Sequence, residues 1–184
     1  MHESDLFIGR PEKGSRSDIE ERSYEFLEKL SVPFTRVDHD IAMTMEDLRA
    51  AEDVLGCAIA KNLFLTNRQQ TDFYLLIMPG NKPFKTKYLS AQLGCSRLSF
   101  ASEEHLTSLL GVKSGSASLL GLMNDSTKKV QLVFDKELLS EAMFGCHPCI
   151  NTSSIAFETS AIFEKILPAL GIEFKAVELP WELE

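Results

Sequence analysis

The stretch AKNLFLTNRQQTDFYLLIMPG, Ala60 to Gly80, carries two β-prone runs, Asn62 to Thr66 and Asp72 to Met78, on either side of the polar Asn67-Arg68-Gln69-Gln70. Pro79-Gly80 ends the second run, so the spacing predicts a hairpin. Both runs are nearly continuous in apolar character rather than alternating. That pattern predicts a central position with both faces covered.

Working outward towards the N-terminus, Thr44 and Asp47 have the spacing of a capping box ahead of Leu48, Ala51 and Leu55, and Gly56 ends that helix. Phe34 to Val37 reads as a short strand after the break at Val32-Pro33. Ser17 and Glu20 repeat the capping pattern before Ile19, Phe26, Leu27 and Leu30, predicting the first helix. Residues 1–16 are polar, contain Gly9, Pro11 and Gly14, and read as a loose leader.

Towards the C-terminus the pattern predicts a helix over Thr86 to Leu93, a strand over Leu98 to Phe100, and a helix capped by Ser102 and closed by Gly111. Lys113-Ser114-Gly115-Ser116-Ala117-Ser118 follows as an ordered loop. Val130 to Phe134 and Ile155 to Glu158 read as strands, Ala161 to Leu170 as a helix ended by Gly171, and Ile172 to Val177 as a last strand. Irregular alternation of strands and helices places the chain in the α/β (α+β) class, with a mixed central β-sheet wrapped by helices. The expected organisation is the leader, 1–16, and a single domain, 17–184.

The 184 residues, 44% of them apolar, suffice for one core. No apolar run approaches the roughly 18 residues of a membrane span, and the first residues lack the apolar segment of a signal peptide. A soluble, cytoplasmic protein is expected, with no membrane partner. Four cysteines in such a chain fit reduced thiols. A net charge of −8 argues against a protein that coats DNA or RNA through many phosphate contacts, but leaves room for a local contact with one RNA end.

Three segments hold residues that a plain core does not need. Lys61 immediately precedes the apolar strand, where a cation suits an anionic or carbonyl-bearing ligand. A lysine stem lying along apolar neighbours would read the same. Gly115, Ser116 and Ser118 offer unobstructed N–H groups and hydroxyls for an oxyanion or a ribose, or else form a simple connector. His147, between Gly145 and Pro148, can orient a hydroxyl or a water, or serve as a structural hydrogen-bond partner. Cys146 and Cys149 form a C-x-x-C pair, but Cys57 and Cys95 do not supply a second pair and no helix follows, so neither zinc nor thiol redox chemistry is expected. No metal and no cofactor are predicted.

At these segments the chain resembles the YbaK/ProX family of prolyl-tRNA editing proteins. The likeness is carried by ordered blocks: Ala60-Lys61-Asn62-Leu63-Phe64-Leu65, Met78-Pro79-Gly80-Asn81-Lys82, Leu93 to Ser102, Leu110-Gly111-Val112, Gly115 to Ser118, Gly121 to Asp125, and His147-Pro148 with Asn151-Thr152. It spans about residues 20 to 175 and looks closest to the freestanding ProXp-ala and PrdX type of aminoacyl-tRNA deacylase. The resemblance implies a trans-editing hydrolase acting on mischarged tRNA(Pro), first of all Ala-tRNA(Pro), through a positioned water and without a protein nucleophile.

It further implies Lys61, Gly115 and His147 as catalytic residues, and Asn62, Ser116, Ser118 and Gly121 as substrate-binding residues. The implied partners are the acceptor end of aminoacyl-tRNA and prolyl-tRNA synthetase. Leu119 stands where the family loop often has proline, and Cys146 where it often has phenylalanine; both bear on which amino acid is removed. Cys-tRNA(Pro) or another small amino acid is the alternative substrate. A non-catalytic tRNA- or synthetase-binding regulator is the alternative function. Lys82, Lys85, Lys87 and Arg97 form a local basic excess that can meet the acceptor end or simply be solvated.

Overall fold

The computed structural model describes residues 3–183. Met1 and His2 of the expected leader and Glu184 of the expected domain lie outside the described residues. The elements in chain order are β1 (Phe7–Ile8), α1 (Asp18–Lys29), β2 (Thr35–Asp38), α2 (Arg49–Leu55), β3 (Lys61–Asn67), β4 (Phe73–Met78), α3 (Thr86–Leu93), β5 (Leu98–Phe100), α4 (Glu103–Leu110), β6 (Val130–Asp135), β7 (Met143–Cys146), β8 (Ser153–Glu158), α5 (Leu167–Leu170) and β9 (Phe174–Val177). Helices and strands mix as expected, but the strands divide between two sheets rather than joining one. The first has the order β1-β2-β8-β7 and the second β5-β3-β4-β6-β9.

The predicted hairpin is the antiparallel pair β3 and β4, with Lys61 opposite Met78. On its other side β4 pairs parallel with β6, and β6 with β9. The missing alternation in the sequence has its cause here. Phe73, Leu75 and Ile77 enter the large core that also takes in α1, β7 and β8, while Tyr74, Leu76 and Met78 enter a second core under α3. With both faces buried, no position on β4 is left for a solvated side chain.

Local chemistry departs from expectation in three places. Ser17 makes no side-chain cap, and Glu20 is buried, accepting a hydrogen bond from the Tyr24 hydroxyl at 2.7 Å. The neighbouring Glu21 carboxylate instead accepts the N–H groups of Gly14 (3.0 Å) and Arg16 (3.2 Å) and pairs with Arg10. The leader is therefore not loose: β1 pairs with β2, and Arg16 meets Asp38 at 2.6 Å. Over residues 162–166 the expected α-helix opens into a π-turn before α5. Pro168 lacks the N–H that an α-helical turn would direct back to residue 164, and its ring crowds that carbonyl, which widens the turn.

The Thr44/Asp47 box does form, Thr44 N–H donating to Asp47 at 2.9 Å and Asp47 N–H to the Thr44 hydroxyl at 3.3 Å. Strand β7 and the pairing of β1 were not anticipated. Gly145 in β7 makes the junction of the two sheets possible. A Cβ there would stand 2.6 Å from the Ala58 carbonyl oxygen, so only glycine lets β7 lie beside the chain entering β3. The Gly145 carbonyl then accepts the Ala60 N–H at 2.8 Å. This contact sets Lys61 beside the segment that carries His147. No helix among the described residues is long and apolar enough to cross a membrane.

Candidate functional site

Lys61, Asn62, Gly115 and His147, singled out far apart in the sequence, line one cavity of about 440 Å³. Met43, Thr44, Met45, Leu48, Phe100 and Ala117 complete much of its wall. Lys61 begins β3, and its Nζ donates to the Lys82 carbonyl at 2.7 Å. It has no carboxylate partner among the described residues, and burial holds its pKa below the ordinary lysine value. The Asn62 amide donates to the Ala60 carbonyl at 2.9 Å, while its Oδ1 is buried with no hydrogen-bond partner among the described residues. A buried acceptor left unsatisfied in this way calls for a donor that the described residues do not supply.

The glycine loop is held against the histidine segment. Gly115 has φ +82°, and a Cβ there would stand 3.2 Å from Asn151 Nδ2 and 3.4 Å from Met43 Sδ. Asn151 in turn donates to the Ala42 carbonyl at 3.2 Å, tying residues 42–43 to the same corner. The N–H groups of Gly115 and Ala117 donate to no acceptor among the described residues, whereas the Ser116 N–H is engaged by the Lys113 carbonyl at 3.0 Å. Free donors are thus found on either side of Ser116 rather than at it.

Ser118 and Gly121 do not line the cavity. The Ser118 hydroxyl donates to the His147 carbonyl at 2.6 Å and accepts the Leu120 N–H at 3.2 Å, capping the short 3₁₀ helix over Leu119–Asn124. Gly121 packs on the end of α4, where a Cβ would stand 3.2 Å from the Leu110 carbonyl oxygen. Ser116 is buried beside them. These three residues shape the loop from behind.

His147 is 9% exposed. Its Nδ1 lies 2.9 Å from the Ser153 carbonyl oxygen. Burial, opposed by that hydrogen bond and aided by nearby His39, pulls its pKa down to about 4. The imidazole is therefore neutral at physiological pH. His39 was not anticipated from the sequence, because an isolated histidine after a short strand gives no sign of the partner that the sheet brings to it.

None of the four cysteines lines this cavity. All four are free, and burial raises the thiol pKa of Cys146 far above its ordinary value and that of Cys149 up to about 11. A thiol held protonated in this way is neither a nucleophile nor a ready metal ligand. Among the described residues no three His, Cys, Asp or Glu side chains gather as a metal site would require.

Lys82 is a correction to the basic surface expected from the sequence. It is fully buried, with Nζ 2.8 Å from Asp135 and 2.7 Å from Glu137. Lys85, Lys87 and Arg97 remain at the surface and line one shallow depression with Thr86 and Ser90. From Arg97 the chain runs along the edge strand β5 to Phe100, which is 63% exposed at the cavity.

Comparison with known proteins bears on the family and the fold. The model of the aminoacyl-tRNA editing domain matches residues 39–164. The chain is 33% identical over 153 residues to the prolyl-tRNA editing protein ProX of Acetoanaerobium sticklandii, covering 83% of this chain and 93% of that one. It is 29% identical over 161 residues to prolyl-tRNA synthetase associated domain-containing protein 1 of Danio rerio, covering 84% and 87% respectively. In fold it is similar to the crystal structure of a putative trans-editing enzyme for prolyl tRNA synthetase, with a TM-score of 0.66 at 16% identity, over 90% of this chain and all of the other. With the family model matching well over half of its length, the chain belongs to the aminoacyl-tRNA editing domain family.

Proposed function

We propose that the chain is a trans-acting deacylase that hydrolyses the ester of mischarged tRNA(Pro), with Ala-tRNA(Pro) as its first substrate. The observation that carries this reading is the convergence of Lys61, Asn62, Gly115 and His147 on one cavity. An aminoacyl ester is already activated, so a site of this kind has to place a water, stabilise the oxyanion and reject the correct amino acid.

In the proposed reaction the water oxygen bonds to the ester carbon and the bond from that carbon to the terminal ribose oxygen breaks. The water's proton ends on the ribose oxygen, giving a free amino acid and an intact tRNA. The N–H groups of Gly115 and Ala117 stabilise the oxyanion, and Lys61 holds the terminal nucleotide. The open Asn62 Oδ1 accepts from the substrate's α-ammonium group. The neutral His147 accepts from the attacking water or from the neighbouring ribose hydroxyl. Met43, Met45 and Leu48 give the cavity an apolar wall, against which selection of a methyl group over a proline ring rests on steric exclusion, since size separates these two better than polarity does.

Phe100 offers its exposed face to the terminal base, and Lys85, Lys87 and Arg97 meet the phosphates behind it. Prolyl-tRNA synthetase is the proposed source of the mischarged tRNA.

The test is release of alanine, cysteine and serine from their tRNA(Pro) esters by the native protein and by Lys61→Ala. Alanine release that drops about a hundredfold in the variant is expected. Faster release of cysteine or serine would reassign the substrate. A folded native protein that binds tRNA(Pro) and hydrolyses none of the three would replace the deacylase by the non-catalytic regulator.

A further inference from the structure

Behind His147 lies a chain of buried polar groups that the proposed reaction does not use. Strand β8 is paired on one side with β2 and on the other with β7. His39 follows the end of β2 and His147 follows the end of β7, so the two rings flank Ser153 and Ser154 at the start of β8, with centroids 5.9 Å apart. His39 is 7% exposed and both serines are fully buried.

The two backbone carbonyls in this chain fix where its protons lie. A carbonyl oxygen only accepts, so the Nδ1 of His147, 2.9 Å from the Ser153 oxygen, carries a proton. The same holds for the Nδ1 of His39, 2.8 Å from the Asp40 oxygen. In the neutral His147 ring Nε2 is then an acceptor; at His39, an Nε2 that donated as well would leave the Ser154 hydroxyl proton with no acceptor among the described residues. His39 Nε2, 2.9 Å from the Ser154 oxygen, therefore takes the Ser154 hydroxyl proton. With that proton engaged, Ser154 turns a lone pair towards His147 Nδ1–H at 3.3 Å. Every donor in the chain meets an acceptor.

A serine hydroxyl rotates freely between partners. Without an acceptor at His39, the Ser154 proton can turn to His147 Nδ1 and compete with the Ser153 carbonyl, populating the opposite tautomer beside the native one. We propose that His39 is a positioning residue of this site: by engaging the Ser154 proton it removes the one donor that competes with the Ser153 carbonyl at His147 Nδ1, and so secures the Nδ1–H form in which His147 Nε2 only accepts. Nε2 has no partner among the described residues, and its ring lines the cavity. The consequence for hydrolysis rests on the deacylase reading. His147 Nε2 accepts a hydrogen bond from the water or the ribose hydroxyl and has none to donate to the carbonyl, which leaves the oxyanion to the Gly115 loop, while the water's proton still ends on the ribose oxygen.

The experiment is nitrogen NMR of the full chain labelled with ¹⁵N-histidine, together with alanine release, for the native protein, His39→Leu, His39→Gln and Ser154→Ala. In the native protein the His147 Nδ1 shift should be of pyrrole type and Nε2 of pyridine type. His39→Leu should move both towards the average of the two tautomers and lower kcat about tenfold or more at unchanged KM. His39→Gln, which restores an acceptor near Ser154, should recover both readouts. If His39→Leu does not fold, Ser154→Ala decides by the His147 shifts. A native His147 protonated at Nε2, or a folded His39→Leu (or, in its place, Ser154→Ala) with native shifts and native kcat, would overturn the proposal. If the native protein releases no amino acid, the deacylase reading falls while the nitrogen shifts still decide the tautomer.

Discussion

The Ser118 hydroxyl donates to the main-chain carbonyl of His147 at 2.6 Å, in a place where both residues are buried. This one bond joins the glycine loop to the histidine segment, which meet nowhere else in the sequence. It also explains why Ser118 shapes the site without lining it.

Ser118→Ala should leave the His147 carbonyl without a donor and the Leu120 N–H without its cap. The expected cost is about 1–3 kcal/mol of stability. Urea unfolding should show a lower midpoint at an unchanged slope, and alanine release should fall because the loop loses its register with His147.

Gly115→Ala places a side chain at a positive φ and pushes it against Asn151. The left-handed conformation alone costs about 1–2 kcal/mol. Displacing the loop N–H groups by an ångström should lower kcat ~100-fold. Steady-state kinetics beside thermal unfolding separate the two losses, since a change in stability alone leaves kcat per folded molecule unaltered.

Lys82→Met should destabilise the fold by roughly 3–5 kcal/mol, because it strands the fully buried Asp135. Burial opposes the charge on Lys82, but its hydrogen bonds to Asp135 and Glu137 outweigh this and raise its pKa. The stabilisation is therefore complete below the ordinary lysine pKa and is lost only as pH rises through the raised value. The double variant Lys82→Met with Asp135→Leu should recover most of the loss. Denaturant titrations of the three proteins test this.

His147 should make the fold sensitive to mild acid. Its pKa is held at about 4, against an ordinary 6.5. Between these values the unfolded chain binds the proton and the folded chain does not, so stability rises with pH across that window. Relative to His147→Gln, the native protein should lose stability as pH falls from 6.5 towards 4, by at most ~1.4 kcal/mol per pH unit. The part of the pH–kcat profile that belongs to His147, present in the native protein and absent from His147→Gln, should decline only as pH approaches 4.

Elements specified by neighbours in the chain were legible in the sequence. The β3–β4 hairpin, the Thr44/Asp47 cap, the stop at Gly56 and the helix over Thr86–Leu93 all rest on contacts a few residues apart. Where burial or a distant partner competes, the local reading fails. Glu20 has the spacing of a capping residue, but it is buried against Tyr24, and Lys82 resembles a surface cation but is paired with Asp135.

The sequence by itself determined the helix and strand periods, the turn residues and the segments carrying Lys61, Gly115 and His147. These are properties of short stretches, where backbone preference and spacing act directly. Only the tertiary structure decided that the strands form two sheets, that Gly145 joins them beside Lys61, and that β8 brings His39 and His147 to the same pair of serines. The physical reason is distance along the chain. Hydrogen bonds such as those from Ser154 to His39 and from Ser118 to His147 depend on strand register and close packing, which no local pattern encodes.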